Sequence, residues 1–313
     1  MQVVRTLDEH VELTGGGVLA IGFFDGVHRG HRQLLGTVVE RAHALEAAAV
    51  ALTFEDHPQC LFTPGACPFW LTTVDEKLAA LAEVGLDCTF VVPFDWTVAS
   101  QTAEEFAWRL REQYGMRELV CGADFALGKD RAGTVDELRT LGATMGFSVN
   151  VVAPVPDQEQ VISSTLIREC IARGDIAQAT KLLGRPYSLP GKVVSGQGLG
   201  RKLGVPTINL ETPARKVVPA HGVYAVWTEW AGVRRPAVAN LGVRPTVGGG
   251  QFAIEAHLLN QQIDSSPPHL ALHFIARLRA EQRFPSLDDL VAQIGRDCAA
   301  AQVALAHSEL PKR

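Results

Sequence analysis

Gly184-Arg-Pro-Tyr-Ser-Leu-Pro-Gly191 divides this chain into two halves with different periodicities. Two glycines and two prolines in so short a stretch stop a helix and prevent its continuation. Before the break, strands alternate with amphipathic helices. Val18 to Phe24 is an apolar run ending in Asp25-Gly26, which reads as a strand entering a turn. His31 to Ala48 has helical spacing at Leu34, Leu35, Val38, Val39 and Ala42. Strands are predicted over Ala48 to Phe54, Cys88 to Val92, Glu118 to Gly122 and Phe147 to Val152, with a helix over Val74 to Val84. Thr102-Ala-Glu-Glu105 is a capping box that opens a further helix. This alternation predicts an α/β domain, a parallel Rossmann-like sheet covered by helices, with its site at the carboxyl ends of the strands. After the break, short strands dominate: Gly191 to Ser195, Gly222 to Trp227, Ala237 to Asn240, Phe252 to Leu259 and Leu270 to Leu278. They predict a small antiparallel barrel, followed by a helix from Ser286-Leu-Asp-Asp289 to about Ala304. The 313 residues suffice for two cores, so domains are expected at 1–184 and 185–313.

A net charge of -5 with scattered lysines and arginines gives no basic face, so no nucleic-acid partner is expected. No apolar run is long enough to cross a bilayer. Met1 to Gly17 carries Arg5, Asp8, Glu9 and Glu12 and lacks the order of a signal peptide, so the cytoplasm is the expected address. The six cysteines, at 60, 67, 88, 121, 170 and 298, include no C-x-x-C pair. They read as small buried apolar residues in a reducing compartment.

Phe24-Asp-Gly-Val-His-Arg-Gly-His31 is the densest polar signal of the first half. Gly26 and Gly30 allow a ligand close to the backbone. His28 and His31, three apart, share a face if both lie on the first helical turn. A helix N-terminus offers amide donors and positive potential to an anion. Two imidazoles beside it suit a triphosphate attacked at its α-phosphorus. Alone, the motif could equally be a turn with two surface histidines. Zinc is a poorer reading, because no third ligand stands at suitable spacing. Ile162-Ser-Ser-Thr-Leu-Ile-Arg168 puts three hydroxyls before a helix ending at Gly174. One serine would cap that helix; three with Arg168 suggest a second phosphate clamp.

Together these segments resemble the nucleotidyltransferases marked by H-x-G-H and I-S-S-T-x-x-R. Thr53-Phe-Glu-Asp-His-Pro58, Leu71-Thr-Thr73 before Lys77, Gly122-Ala-Asp-Phe125 with Gly128, and Leu183-Gly-Arg-Pro-Tyr187 are similar to the FAD synthetase module of bacterial bifunctional flavin enzymes. The resemblance implies transfer of AMP from ATP to FMN, giving FAD and pyrophosphate with Mg²⁺. It implies that His28 and His31 stabilise the transition state. Gly22, Phe24, Asp25, Gly30, Ser163, Ser164, Thr165 and Arg168 would bind ATP and its phosphates. His57, Asp124 and Phe125 would face the flavin. Ala126-Leu127 departs from the family's Arg-Phe, and Asp56 from its usual Asn or Pro.

Gly196-Gln-Gly-Leu-Gly-Arg-Lys-Leu-Gly-Val-Pro-Thr-Ile-Asn209 is the second concentrated signal. Its spacing is neither a Walker A loop nor a dinucleotide fingerprint. It is a glycine-rich loop with two cations, able to cover phosphates, or else an ordinary barrel-edge loop. In an extended segment Thr207 and Asn209 point the same way and offer hard oxygen ligands. The segment resembles the glycine-rich loop and Pro-Thr-Ala-Asn signature of riboflavin kinases, with Ile208 in place of Ala. His221-Gly-Val-Tyr-Ala225, Asn240-Leu-Gly-Val-Arg-Pro-Thr246, Ile254-Glu-Ala-His-Leu258, Leu278-Arg-Ala-Glu281 with Phe284, and Gln293-Ile-Gly-Arg-Asp297 extend the likeness. By that resemblance Gly196, Gly198, Gly200 and Lys202 would cover ATP, and Thr207 and Asn209 would hold Mg²⁺. Glu255 would take the proton of the riboflavin 5′-hydroxyl; without the family it reads as a solvent-facing strand residue. Asn260 to His269 departs from the family's acidic stretch and Leu-Tyr-Gly turn.

The expected substrates are thus riboflavin, FMN and ATP, and the expected product FAD, with no membrane partner and no oligomeric state readable. Three alternatives stand beside this: an FAD synthetase with an impaired kinase, transfer to a non-flavin substrate, and a flavin-binding regulator without catalysis.

Overall fold

A computed structural model of the chain describes residues 1–9, 11–63, 65–158, 160–196, 204–244, 251–260 and 267–308. Its packing divides it into two compact units, Met1–Ser164 and Thr165–Arg313. In the first stand β1 (Gln2–Val4), β2 (Gly17–Ile21), α1 (Arg29–Ala44), β3 (Ala48–Phe54), α2 (Pro58–Phe62), α3 (Val74–Ala82), β4 (Cys88–Val92), α4 (Trp96–Ala99) and α5 (Ala103–Tyr114). Then follow β5 (Met116–Gly122), β6 (Ala126–Leu127), β7 (Gly133–Thr134), α6 (Val135–Met145), β8 (Ser148–Val152), β9 (Pro156–Asp157) and β10 (Gln160–Val161).

Six of these strands form one all-parallel sheet in the order β1-β4-β3-β2-β5-β8. Every residue of β2 and β4 is buried, as expected where helices cover both faces. Alternate residues feed opposite cores. Leu19, Leu52 and Phe90 meet Phe106, Leu110 and Tyr114 of α5 on one face. Val18, Ala20 and Ala51 meet Leu35 and Val38 of α1 and Leu81 of α3 on the other. From β2 the chain winds outward through β3 and β4, then returns to β5 on the other side of β2. The carboxyl end of β2 is therefore the switch point of the sheet, where such folds bind ligands.

The second unit begins within α7 (Ser164–Arg173) and continues through α8 (Ile176–Leu183), β11 (Tyr187–Val194), β12 (Ile208–Glu211), β13 (Gly222–Trp230), β14 (Val233–Arg244), β15 (Gln251–Leu258), β16 (His269–Arg279) and α9 (Leu287–Ala306). Six antiparallel strands close into a barrel in the order β11-β12-β15-β14-β13-β16. Ala301 and Leu305 of α9 pack against Val223, Ala225 and Val238. Arg279 holds the buried Asp297 of α9 through Nε and Nη2 at 3.0 and 2.8 Å. The motif residues Leu278 to Glu281 and Gln293 to Asp297 thus dock the last helix.

Several sequence expectations are corrected. β2 stops at Ile21, not Phe24, because Phe24 turns left-handed at φ 51. The helix before the break ends at Leu183 as expected, with Gly184 left-handed at φ 75. The break itself is half strand: β11 starts at Tyr187, and Pro190 stands opposite Ala271. Proline's fixed φ suits an extended strand where no amide donor is needed. The other barrel strands run longer than their apolar cores, since polar ends still pair. Cys60 and Cys67 are disulfide-bonded with Cα atoms 4.5 Å apart, contrary to their reading as buried apolar residues. Cys88, Cys121 and Cys170 are buried free thiols. Among the described residues no helix is long and apolar enough to cross a membrane.

Candidate functional site

At the switch point the chain leaves β2 through a strained loop. Phe24, Gly26 and Val27 take φ of 51, 80 and 38. A left-handed β-branched residue is rare and persists only where its surroundings enforce it. The enforcing contact is the buried Asp25. Its carboxylate accepts from Leu71 N, Thr72 N and Thr72 Oγ1 at 2.9 to 3.1 Å. Gly26 N donates back to Thr72 Oγ1 at 3.0 Å. Asp25, expected among the phosphate ligands, thus has its carboxylate committed to the loop before α3.

The two histidines are not on one helical turn, as the spacing had suggested. His28 is the N-cap of α1, with extended backbone, and its Nδ1 accepts from His31 N at 3.3 Å. An accepting Nδ1 leaves the ring proton of neutral His28 on Nε2. The cap still brings the imidazoles together: they stack with centroids 3.6 Å apart, and Phe24 meets His31 edge-on at 5.3 Å. Burial, then His28, then Lys77 hold the His31 pKa well below the usual histidine value, so His31 is neutral near pH 7. Its Nδ1 is buried and has no hydrogen-bond partner among the described residues. Gly30 packs closely beside them: a Cβ there would lie 3.2 Å from the His28 ring. Ser164 donates to the Asp25 carbonyl at 3.0 Å, tying the hydroxyl motif to the loop. Ser163 precedes it in the same unit, whereas Thr165 and Arg168 fall in the second unit.

A cavity of ≈ 1000 Å³ opens beside this loop. Gly22, Phe24 and His31 line one side; Asp124, Phe125 and the Gly128–Arg131 turn line another. Phe54, Phe62, Phe94 and Trp96 complete an aromatic wall. Gly22, Phe24, His31, Asp124 and Phe125 are therefore brought together as expected. His57 caps α2 through Nδ1 and meets Phe23 of the wall at 4.9 Å. Lys77 acquires a specific position: it is 2% exposed and bonds Phe23 O, Thr53 Oγ1 and Phe54 O. The sequence had marked Lys77 only as a family neighbour of Leu71 to Thr73. Its apolar-looking helix gave no sign of burial. Phe62 and Trp96 were missed as cavity residues, since exposed aromatics carry no periodicity.

In the barrel, Asn209 of β12 stands opposite Glu255 of β15, which stands opposite Asn240 of β14. Ile208 and Leu210 are buried, so Asn209 faces away from the barrel interior. Gly196 crosses close over Asn209: a Cβ there would come within 2.0 Å of Nδ2. His257 Nδ1 is 2.8 Å from the carbonyl of Pro206, fixing the segment that carries Thr207. Gly196, Asn209 and Glu255 thus share one end of neighbouring strands. Gly198, Gly200 and Lys202 lie outside the described residues, as does most of the 260–269 departure. Among the described residues no cluster of three or more His, Cys, Asp or Glu could hold a metal. A cation here would need amide, hydroxyl and phosphate oxygens.

The comparisons bear on both units. The FAD synthetase family matches residues 11–166, and the riboflavin kinase family matches residues 183–305. A bifunctional riboflavin kinase/FMN adenylyltransferase of Pseudomonas fluorescens is 40% identical over 98% of this chain and 99% of its own. A relative of the same description from Escherichia coli K12 is 40% identical over 90% of each chain. A crystal structure described as a macrolide-efflux protein from Streptococcus pneumoniae aligns over 96% of this chain and 98% of its own, with TM-score 0.87 and 28% identity.

Proposed function

This chain belongs to the bifunctional riboflavin kinase/FMN adenylyltransferase family, and from that premise we propose how its own residues divide the two reactions. Residues 1–184 carry adenylyl transfer and residues 185–313 carry the kinase, a division supported by the two family matches. The stacked His28–His31 pair, whose His31 lines the cavity, is the observation that carries the first assignment. A phosphate oxygen of FMN attacks the α-phosphorus of ATP, the bond to the β-phosphate oxygen breaks, and pyrophosphate leaves. Both imidazoles, preorganised at a helix N-terminus, donate hydrogen bonds to oxygens that gain charge. Ser163 and Ser164 hold phosphates on the same side; the roles of Thr165 and Arg168 rest on the motif alone. The aromatic wall with Asp124 and Phe125 takes the isoalloxazine ring by stacking and hydrogen bonding.

In the kinase, the riboflavin 5′-hydroxyl oxygen attacks the γ-phosphorus, ADP leaves, and Glu255 accepts the hydroxyl proton. The Gly196 loop covers the phosphates. The divalent cation is Mg²⁺, and Thr207 and Asn209 would hold it with phosphate oxygens; their hard neutral donors fit an ion that keeps several other ligands. When bound, it neutralises phosphate charge. The cytoplasm remains the address that fits the composition. The decisive experiment is chromatography of the products formed from riboflavin, ATP and Mg²⁺. FMN followed by FAD is expected. FAD from supplied FMN, with none from riboflavin, would leave only the adenylyltransferase; flavin binding without turnover would overturn both assignments.

A further inference from the structure

The segment Leu71 to Lys77 touches the strained Gly22–His28 loop at three places. Leu71 and Thr72 take the Asp25 carboxylate, Thr72 accepts from Gly26 N, and Lys77 takes the Phe23 carbonyl. Lys77 Nζ donates to Phe23 O at 3.1 Å, Thr53 Oγ1 at 3.1 Å and Phe54 O at 2.6 Å. These bonds use all three ammonium hydrogens, and no acceptor is a carboxylate. The acceptors close the carboxyl ends of two adjacent parallel strands, and Phe23 and Phe54 both line the cavity. The ammonium also sits 4.4 Å from the centre of the Phe23 ring. Burying an ammonium on neutral acceptors is costly, and a methionine of similar length would fill the space but take a donor from each of the three acceptors.

We propose that Lys77 is a positioning residue for adenylyl transfer: as an ammonium it ties the end of β2 to the end of β3, holds Phe23 and the left-handed Phe24 against His31, and adds a fixed positive charge to the phosphate site. The inference rests on the adenylyltransferase reading above. It predicts a pH dependence. The titratable groups around Lys77 are Asp25 from the loop, Glu55 and Asp56 beyond β3, and His31 at the start of α1. Burial outweighs the three carboxylates and lowers the Lys77 pKa to about 8. The ammonium is therefore present below about pH 8 and lost as pH rises through it. With it go one donor and the charge.

The test measures kcat and KM for FMN and ATP from about pH 6.5 to about pH 9.5, with riboflavin phosphorylation by the same protein as the control for general pH effects and circular dichroism as the folding control. Wild-type adenylyl transfer is expected to fall on the alkaline side near the Lys77 pKa, and the kinase not to share that limb. Lys77→Met is expected to lower the adenylyl kcat at least about tenfold, with both KM values within about threefold and no alkaline limb. Lys77→Gln keeps a donor without the charge; it is expected to recover part of kcat, again without the limb. A wild-type profile flat across the range, a Lys77→Met enzyme with wild-type kcat, or a limb that survives in Lys77→Gln would overturn the proposal. If Lys77→Met fails to fold, the wild-type profile and Lys77→Gln still decide. Absence of FAD from FMN in the wild type at every pH would instead overturn the reading beneath it.

Discussion

His31 concentrates the chemistry of the first unit in one side chain. It is stacked on His28, edged by Phe24 and kept neutral by burial. We expect His31→Ala to lower FAD formation at least about a hundredfold, the scale of losing a preorganised transition-state donor. Riboflavin phosphorylation should be unchanged, as coupled and separate assays of one preparation will show. The residue type and its spacing to His28 were legible in the sequence; the way they meet was not. Spacing of three suggests a shared helical face, yet His28 caps the helix from outside. Likewise Asp25 is placed among the ATP-binding residues by the family resemblance alone. Its partners, Leu71 and Thr72, are 46 and 47 residues away, and no local pattern encodes such a bond.

At the scale of elements, the buried Glu118 of β5 joins α1 to the sheet. Arg41 Nε and Nη2 reach its two carboxylate oxygens at 2.8 and 2.7 Å, with Ser148 and Asn150 each adding a bond at 3.1 Å. Arg41 chiefly holds the Glu118 carboxyl below the usual carboxylate range. Arg41 is part-exposed, so we expect Arg41→Ala to lower stability by less than the full loss of a buried pair. The carboxylate gains this stabilisation above its unfolded pKa of about 4.3 and loses it as pH falls below that. Thermal melts of wild type and variant should therefore converge in acid. Both activities should persist, since Arg41 and Glu118 line a recess with Gly16 and Ser148 at the amino ends of the strands, away from the cavity. Apolar periodicity located β3, β4 and β8 almost to the residue, overran the end of β2 and missed β1. It located the barrel strands only by their centres, because ends such as Val233 to Pro236 alternate little and are fixed by pairing with β13.

For the whole molecule, the central expectation is separability. Glu255→Ala and Asn209→Ala should each lower FMN formation at least about a hundredfold, while FAD formation from supplied FMN stays within about twofold of wild type. Loss of both activities in either folded variant would sink the two-site reading. Two folds on one chain were visible as a change of periodicity at Gly184. Which helices pack with which fold was not, because α7 and α8 read as a continuation of the alternating half yet cluster with the barrel unit. One feature of the open sheet also governs how the protein behaves in solution. A closed barrel has no free edge, but the sheet ends on β1, only three residues long, which covers Cys88, Thr89 and Phe90 of β4. Those few residues act as a cap against strand addition from other molecules. Deleting Gln2 to Val4 would bare the backbone of β4, whose residues are all buried, and light scattering during heating should then rise at a lower temperature. An N-terminal fusion for this enzyme is therefore better given a flexible spacer than joined directly to its first strand.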